Sequence, residues 1–198
     1  MHLLPAQQND ARQIGEIYRQ AFPSSVEFFF PRKSREKLLE LLELSFALSF
    51  ALGAEGVIAY DQGRVPAGYC LYLRQQKTRQ LKNVLTILPQ IVGLLTLSEL
   101  SKLAHNQLVM NISVRKNKKV PKPQAQILSL AVLPDYQGQG VGTQVLDYAL
   151  GKLKNQSIGL NVRAHNSAGK RLYTNAGFVQ YGQTKDLSGW WLMLQKPV

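Results

Sequence analysis

Residues 131–146, AVLPDYQGQGVGTQVL, constrain the fold more than any other part of the chain. An apolar run ends at Pro134, and glycines then occupy every second position, at Gly138, Gly140 and Gly142, where an amphipathic pattern begins. Where a strand leads into a helix, the first helical N–H groups have no partner and carry the positive end of the helix dipole. Glycines leave that backbone bare. The stretch therefore predicts an anion site, for which phosphate is the usual ligand.

Two common phosphate loops do not fit this stretch. A Walker A loop has a lysine after its last glycine, but Thr143 directly follows Gly142. A dinucleotide fingerprint places its third glycine at position 143 and an acid about 20 residues later, where this chain has Thr143 and Arg163. A glycine-rich turn without a ligand is the remaining structural alternative.

Hydrophobic periodicity predicts an alternation of strands and helices along the rest of the chain. Strands are expected at 3–6, 126–134 and 157–164, hairpins at 56–73 and 178–195, helices at 9–22, 34–52, 78–103, 140–154 and 166–177, and a loop at 24–33. This order indicates a mixed α/β sheet in one domain, 1–198, with a helical and basic insertion at about 75–124.

Composition narrows the classes of partner. The single cysteine, Cys70, excludes an intrachain disulfide and favours a reducing cytoplasm. The net charge is +12, and the basic segment 114–123 contributes to it. Either this positive charge favours anionic ligands, or the segment is a solvated loop on a basic protein. The apolar segments 38–52 and 84–97 are interrupted by acids or proline and are short for a bilayer, so membrane contact is not expected. No His or Cys spacing indicates a metal site.

At the glycine turn, the chain resembles the GNAT superfamily of acyl-CoA-dependent N-acetyltransferases. LAVLPDYQGQGVG fits the family pattern Q/R-x-x-G-x-G/A, and LNVRAHNSAGKRLYTNAGF (160–178) is similar to its second signature. The likeness is close over about 126–180, while residues 3–73 match only in element order. It implies a GNAT-like α/β (α+β) fold: a mixed, mostly antiparallel sheet with a splayed central parallel strand pair, flanked by helices. The helical insertion between strands 3 and 4, predicted from the residue pattern, is not part of the family's common core.

The resemblance also implies a binding mode for acetyl-CoA as cosubstrate. In this mode the pantetheine arm pairs with Leu130, Ala131 and Val132, and Asn166 contacts either the arm or the pyrophosphate. The pyrophosphate binds to the main chain of Gln137, Gly138, Gln139, Gly140, Val141, Gly142 and Thr143. Lys170 and Arg171 reach the phosphates or are exposed helix charges.

Direct attack of an amine on the thioester requires two proton transfers. Tyr173 stands at the family's tyrosine position, where it would contact the cofactor and act as general acid, because a phenol is protonated at neutral pH. The N–H of Val132 would polarise the thioester carbonyl.

The base is not evident from the sequence. Asn161 stands where ribosomal-protein acetyltransferases of this family place a glutamate. Glu27, His105, or water relayed past Ser129 are the alternatives.

The acceptor is the least determined part. Phe28, Phe29, Phe30, Trp190 and Trp191 form either an aromatic acceptor site or core. The favoured function is an N-acetyltransferase acting on a primary amine of a small molecule, peptide or protein, as a monomer or homodimer. The alternatives are a non-catalytic acyl-CoA-binding regulator and a nucleic-acid-binding module using RKNKK, although no nucleic-acid motif supports the latter and no nucleic acid is expected.

Overall fold

The computed structural model describes residues 1–74, 81–115 and 122–198, which form a seven-stranded sheet flanked by helices. The strands are β1 (His2–Ala6), β2 (Glu55–Tyr60), β3 (Pro66–Arg74), β4 (Ala125–Val132), β5 (Ile158–Arg163), β6 (Val179–Asp186) and β7 (Gly189–Lys196). Their order is β1-β2-β3-β4-β5-β7-β6, and every neighbouring pair is antiparallel except β4 and β5. This confirms the predicted mixed, mostly antiparallel sheet with one parallel pair.

Helices cover both faces of the sheet. They are α1 (Ala11–Ala21), α2 (Pro23–Phe29), α3 (Arg35–Ala51), α4 (Leu81–Leu94), α5 (Leu97–Arg115), α6 (Val141–Lys152) and α7 (Ser167–Asn175). Alternate strand residues point to opposite faces. In β2, Val57 packs in the cluster that contains α6, whereas Ile58 packs in the cluster that contains α1 and α3. The sheet therefore separates two hydrophobic cores.

The predicted helical insertion between strands 3 and 4 is confirmed as α4 and α5. The helix expected at 78–103 is divided: Pro89 and Gly93 both lie within α4, and the break comes after Leu94. The predicted basic segment lies partly in 116–121, outside the described residues, as does the expected start of the insertion at 75–80.

One side of α4 is apolar and exposed. Leu81, Leu85, Leu88 and Val92 share this side, whereas Ile87 is buried against the domain. Among the described residues, no single helix is long and apolar enough to cross a membrane; α4 and residues 97–110 meet that criterion only as a pair, which is bent by 118°.

Two local predictions differ from the structure. The segment expected to be a loop at 24–33 contains α2, because Pro23 occupies the first helical turn, where its fixed φ favours a helix. The strand expected to reach residue 134 ends at Val132, since Pro134 begins a short 3₁₀ turn.

Candidate active site

The central parallel strand pair is splayed. β4 and β5 pair only at Ala125 with Ile158 and at Gln126 with Gly159, although β4 continues to Val132 and β5 to Arg163. A gap therefore opens between the two strands toward their carboxyl ends, as the predicted fold requires.

The splay leaves main-chain groups of β4 without a partner strand. The Leu133 N–H donates to the Ala67 carbonyl at 2.8 Å, so by the alternation of an antiparallel ladder the N–H and C=O of Val132 point away from β3, into the gap. The Val132 carbonyl accepts a 3.1 Å hydrogen bond from Nε2 of Gln137 there. This edge of β4 can pair with an extended ligand as an added strand.

The glycine turn has two residues with left-handed backbone. Gly138 has φ +76° and Gly140, the N-cap of α6, has φ +79°, a region that strongly favours glycine. Gly142 differs, because it lies within α6 without a positive φ, and a Cβ added there would lie 3.5 Å from Leu172 and 3.6 Å from Val132. Gly138 and Gly140 therefore shape the turn, whereas Gly142 lies beside Leu172 and Val132 at distances that would still accommodate a Cβ.

The turn presents a row of N–H donors. Gln137 donates to the Pro134 carbonyl and Gln144 to the Gly140 carbonyl, but from Gly138 to Thr143 no main-chain N–H has an acceptor within the described part of the chain. These groups lie at the start of α6, where the helix dipole adds partial positive charge. Such a row of N–H groups can bind an anion such as a phosphate.

The turn is held in place by a contact with the β2–β3 hairpin. The Tyr136 hydroxyl donates to Oδ2 of Asp61 at 2.6 Å, and Oδ1 of Asp61 accepts from the Val65 N–H at 2.8 Å. The hydrogen bond from Tyr136 lowers the pKa of Asp61, and the same bond raises the pKa of Tyr136. No sequence pattern indicated this anchor, since the two residues are 75 positions apart.

The second signature places the amino end of α7 beside the same gap. Oδ1 of Asn166 accepts from the Gly169 N–H at 2.8 Å, so Asn166 is the N-cap of α7. Asn166, Ala168 and Gly169 all lie on the wall of the cleft that fills the gap.

Tyr173 lies on α7 with its side chain packed between the sheet and this cleft. Its ring meets that of Phe178 at 5.8 Å in an edge-on contact, and the residue is 7 % exposed. Burial raises the pKa of Tyr173 above its ordinary value, so the hydroxyl is protonated at neutral pH. Within the described residues the hydroxyl has no hydrogen-bond partner, and it is not among the fully buried unpaired atoms. It is therefore available to a ligand in the cleft.

The cleft has a volume of about 990 Å³ and passes through the splay from the face covered by α6 and α7 to the face covered by α1 and α2. Ten of the twelve residues expected to bind the cofactor lie on its walls: Leu130, Ala131, Val132, Gln137, Gly138, Gly140, Gly142, Thr143, Asn166 and Tyr173. The other two do not: Nε2 of Gln139 donates outward to the Asp135 carbonyl, and the Val141 side chain is buried in the core. Either can contribute only its main chain.

The candidate bases do not converge on the cleft. Glu27 and His105 are exposed and lie off its walls, and so does Asn161. Ser129 bonds the buried Tyr69 hydroxyl at 2.7 Å and lines a second cavity of about 330 Å³. No aspartate or glutamate lies among the described residues that line the cleft. His165 is the residue on these walls whose side chain type can serve as a base.

At the far end, the cleft walls include Phe28, one of the aromatics considered for an acceptor site. Sequence reasoning did not assign the other residues there, which are Phe22, Arg163, Leu187 and Ser188. Arg163 pairs with the buried Asp186 at 2.8 and 3.0 Å and lies 3.8 Å from the Trp191 ring centroid. The tryptophans themselves lie off the cleft walls. No local signal marks this end, because it is assembled from α1, α2, β5 and the β6–β7 turn.

Known proteins share these features. The sequence profile of the Acetyltransferase (GNAT) family matches residues 12–178. The ribosomal protein bS18-alanine N-acetyltransferase of Escherichia coli is 38% identical over 58 residues, which are 28% of this chain and 39% of that protein, so the match spans about two fifths of the curated relative.

Solved structures share the fold at low sequence identity. An N-acetyltransferase of Staphylococcus aureus has a TM-score of 0.65 at 16% identity, covering 98% of this chain and all of that one. A GNAT superfamily phosphinothricin acetyltransferase of Sinorhizobium meliloti, solved in complex with acetyl-CoA, has a TM-score of 0.60 at 15% identity, covering 100% of this chain and 88% of that one. With the profile match over most of its length, the chain belongs to the GNAT family of acetyltransferases.

Proposed function

We propose that the protein transfers the acetyl group of acetyl-CoA to a primary amine by direct attack on the thioester. One observation carries the proposal: the row of unpartnered N–H groups from Gly138 to Thr143 opens onto the same cleft as the Tyr173 hydroxyl and the free edge of β4. A diphosphate on the turn and an extended arm along Val132 would bring a thioester into this gap.

The chain's own groups account for the chemistry of the leaving group. The amine nitrogen forms a bond to the acetyl carbon as the carbon–sulfur bond breaks. The Tyr173 hydroxyl donates its proton to the departing thiolate and regains one from solvent. Its raised pKa keeps it protonated throughout the physiological range. The Val132 N–H, which points into the gap, stabilises the negative charge that develops on the thioester oxygen.

The amine proton leaves through water. A free alkyl amine with a pKa of about 10.4 is neutral in fewer than about one molecule in a thousand at pH 7. Since no carboxylate lines the described part of the cleft, we expect the rate at low amine concentration to rise with pH as the neutral amine becomes more abundant.

The absence of a carboxylate on the described cleft walls also favours a second candidate, a non-catalytic acyl-CoA-binding regulator on the same fold. Thiol release from acetyl-CoA, followed over a panel of amines, separates the two. Replacing Tyr173 by Phe should lower kcat by about 10²- to 10⁴-fold while leaving acetyl-CoA affinity unchanged.

Tyr181→Phe is the matched control, since Tyr181 is an exposed strand residue away from the cleft. Calorimetry gives the affinity of each variant. Acetyl-CoA binding with no turnover on any amine would favour the regulator, and no binding at all would refute both candidates.

The buried free thiol of Cys70 agrees with a reducing compartment, and we propose the cytoplasm as the site of action.

A further inference from the structure

The insertion joins the two walls that enclose the far end of the cleft. One wall is α2, where Phe28 lines the cleft, and the other is the β6–β7 turn, where Leu187 and Ser188 line it. The cofactor site lies at the opposite, glycine-turn end. An acceptor that approaches the thioester from the far end must therefore pass between these two walls.

Helix α5 contacts both walls through neighbouring turns. Nζ of Lys102 donates to the Phe28 carbonyl and lies 3.8 Å from the Phe28 ring centroid. Oδ1 of Asn106 accepts from the Leu187 N–H at 2.9 Å. Lys102 and Asn106 are four residues apart, or about 6 Å along the helix axis. One turn of α5 thus spans the distance between the walls.

Further contacts hold α5 in this position. Nζ of Lys33, just beyond α2, donates to Oε2 of Glu99 at 3.0 Å and to the Leu94 carbonyl at 2.8 Å. The two charged side chains are 4% and 11% exposed. At the other end, Oγ of Ser113 accepts from the Lys185 N–H at 2.9 Å. Because a buried ion pair is costly to break, α5 is held firmly against the two walls, although none of its described residues lines the cleft itself.

The charge of the cleft limits the acceptor as well. Arg163 is the only Asp, Glu, Lys or Arg among the described residues that line it, and its guanidinium is paired with Asp186. A second cationic group on an acceptor would find no carboxylate partner there, on a protein whose net charge is already +12.

An apolar space adjoins the cleft. The cavity of about 330 Å³ shares Ser25 with it; four serines line this cavity, but most of its wall is apolar and includes the rings of Tyr18, Phe29, Phe30 and Phe46. This cavity has the size and lining of a site for one small apolar group.

We propose that the acceptor is a small monoamine with an apolar or aromatic body. Helix α5 excludes the termini of polypeptides, and polyamines bind poorly because no carboxylate on the described cleft walls can pair with their second charge. This rests on the proposed transferase function. The proposed acceptor differs from the substrate in the name of the curated Escherichia coli relative, which is an alanine of a ribosomal protein.

The test compares three acceptors by thiol release: 2-phenylethylamine, spermidine and a hexapeptide with a free N-terminal alanine. We expect kcat/KM for phenylethylamine to exceed that for each of the others by about 100-fold, as the cost of an unpaired charge or a blocked route implies. The double variant Lys102→Ala/Asn106→Ala should gain about tenfold on the peptide and nothing on phenylethylamine. Ser101→Ala, an exposed neighbour on α5, is the control and should match the wild type.

Binding separates this inference from the proposed function. Conjugates in which CoA is joined through an acetyl linker to phenylethylamine or to the hexapeptide are compared by calorimetry on the wild-type protein, so turnover and folding of the variants do not enter. Tighter binding of the phenylethylamine conjugate by at least about tenfold is expected. Equal binding of the two conjugates, or peptide or spermidine turnover equal to that of phenylethylamine, would overturn the inference while leaving acetyl transfer intact. Binding of conjugates without any turnover would refute the transferase instead.

Discussion

Gly140 offers the sharpest test of the glycine turn, because its folding and binding roles can be separated. Its φ of +79° costs an alanine about 1–2 kcal/mol. An added Cβ would meet no protein atom within 4 Å, so no steric clash adds to this cost. For a chain of this size, each kcal/mol corresponds to a shift of roughly 2–4 °C in Tm. Gly140→Ala should therefore lower Tm by roughly 2–8 °C.

Gly140→Ala should reduce the free energy of acetyl-CoA binding by more than it reduces the free energy of unfolding. Gly140 lines the cleft beside the unpartnered N–H groups, and a methyl group there would move a phosphate off at least one of them. A hydrogen bond to a charged group contributes about 1.5–3 kcal/mol. The Kd for acetyl-CoA, measured by calorimetry, should rise roughly 10- to 150-fold.

Two further variants control this experiment. Gly151 lies in the same helix with an ordinary φ and open space around it, so Gly151→Ala should raise stability by about 0.5–1 kcal/mol and leave Kd unchanged. Gly140→Asn carries a Cβ but tolerates the left-handed region better than alanine, so it should recover part of the stability and none of the affinity. If Gly140→Ala loses stability as expected but binds acetyl-CoA within about twofold of the wild type, the main-chain phosphate site is refuted.

Three other predictions follow from the site and its supports. Asn166→Ala should cost about 1 kcal/mol through loss of the α7 cap, whereas Asn166→Asp should keep the cap yet weaken acetyl-CoA binding through charge repulsion, as thermal unfolding and calorimetry would show. Asp186→Asn should lower the free energy of unfolding in urea by about 3–5 kcal/mol, because it leaves the buried Arg163 charge unpaired; breaking the exposed pair of Arg12 with Glu43 should cost under about 1 kcal/mol. Burial raises the pKa of Asp186, but the hydrogen bonds from Arg163 and Trp191 outweigh this effect and hold the pKa below its ordinary value. The contribution of the Arg163–Asp186 pair to stability should therefore be complete above about pH 4 and be lost as the pH falls further. The Asp186→Asn variant should lack this decline.

Much of the glycine-turn end of the cleft could be predicted because its determinants are close together in sequence. The glycine turn and the start of α6 are contiguous, and so are the end of β5, Asn166 and Tyr173. Their spacing fixes which groups follow each strand, and the family pattern places them side by side. The spacing did not show that, of the three glycines, only Gly138 and Gly140 have a positive φ.

At the opposite end of the cleft, Phe28 was expected to belong to an acceptor site or to the core, but the rest of the wall was not predicted. Residues 24–33 were expected to be a loop but contain α2, and Phe28, Leu187 and Lys102 come together from three distant segments. Glu27 and His105, the candidate bases chosen for their chemistry, lie off the cleft because the helices that carry them turn those side chains to solvent. Residue type indicates what a group can do but not which way it faces.

The sequence by itself determined the order of elements, the glycines that adopt a positive φ, and the capped start of the helix that carries Tyr173. These depend on local backbone preferences and on spacing along one or two elements. Only the tertiary structure decided that β4 and β5 part after Gln126, that burial raises the pKa of Tyr173, and that α5 bridges α2 and the β6–β7 turn. Each of these depends on contacts between segments far apart in the chain, whose relative positions are set by packing of the whole domain.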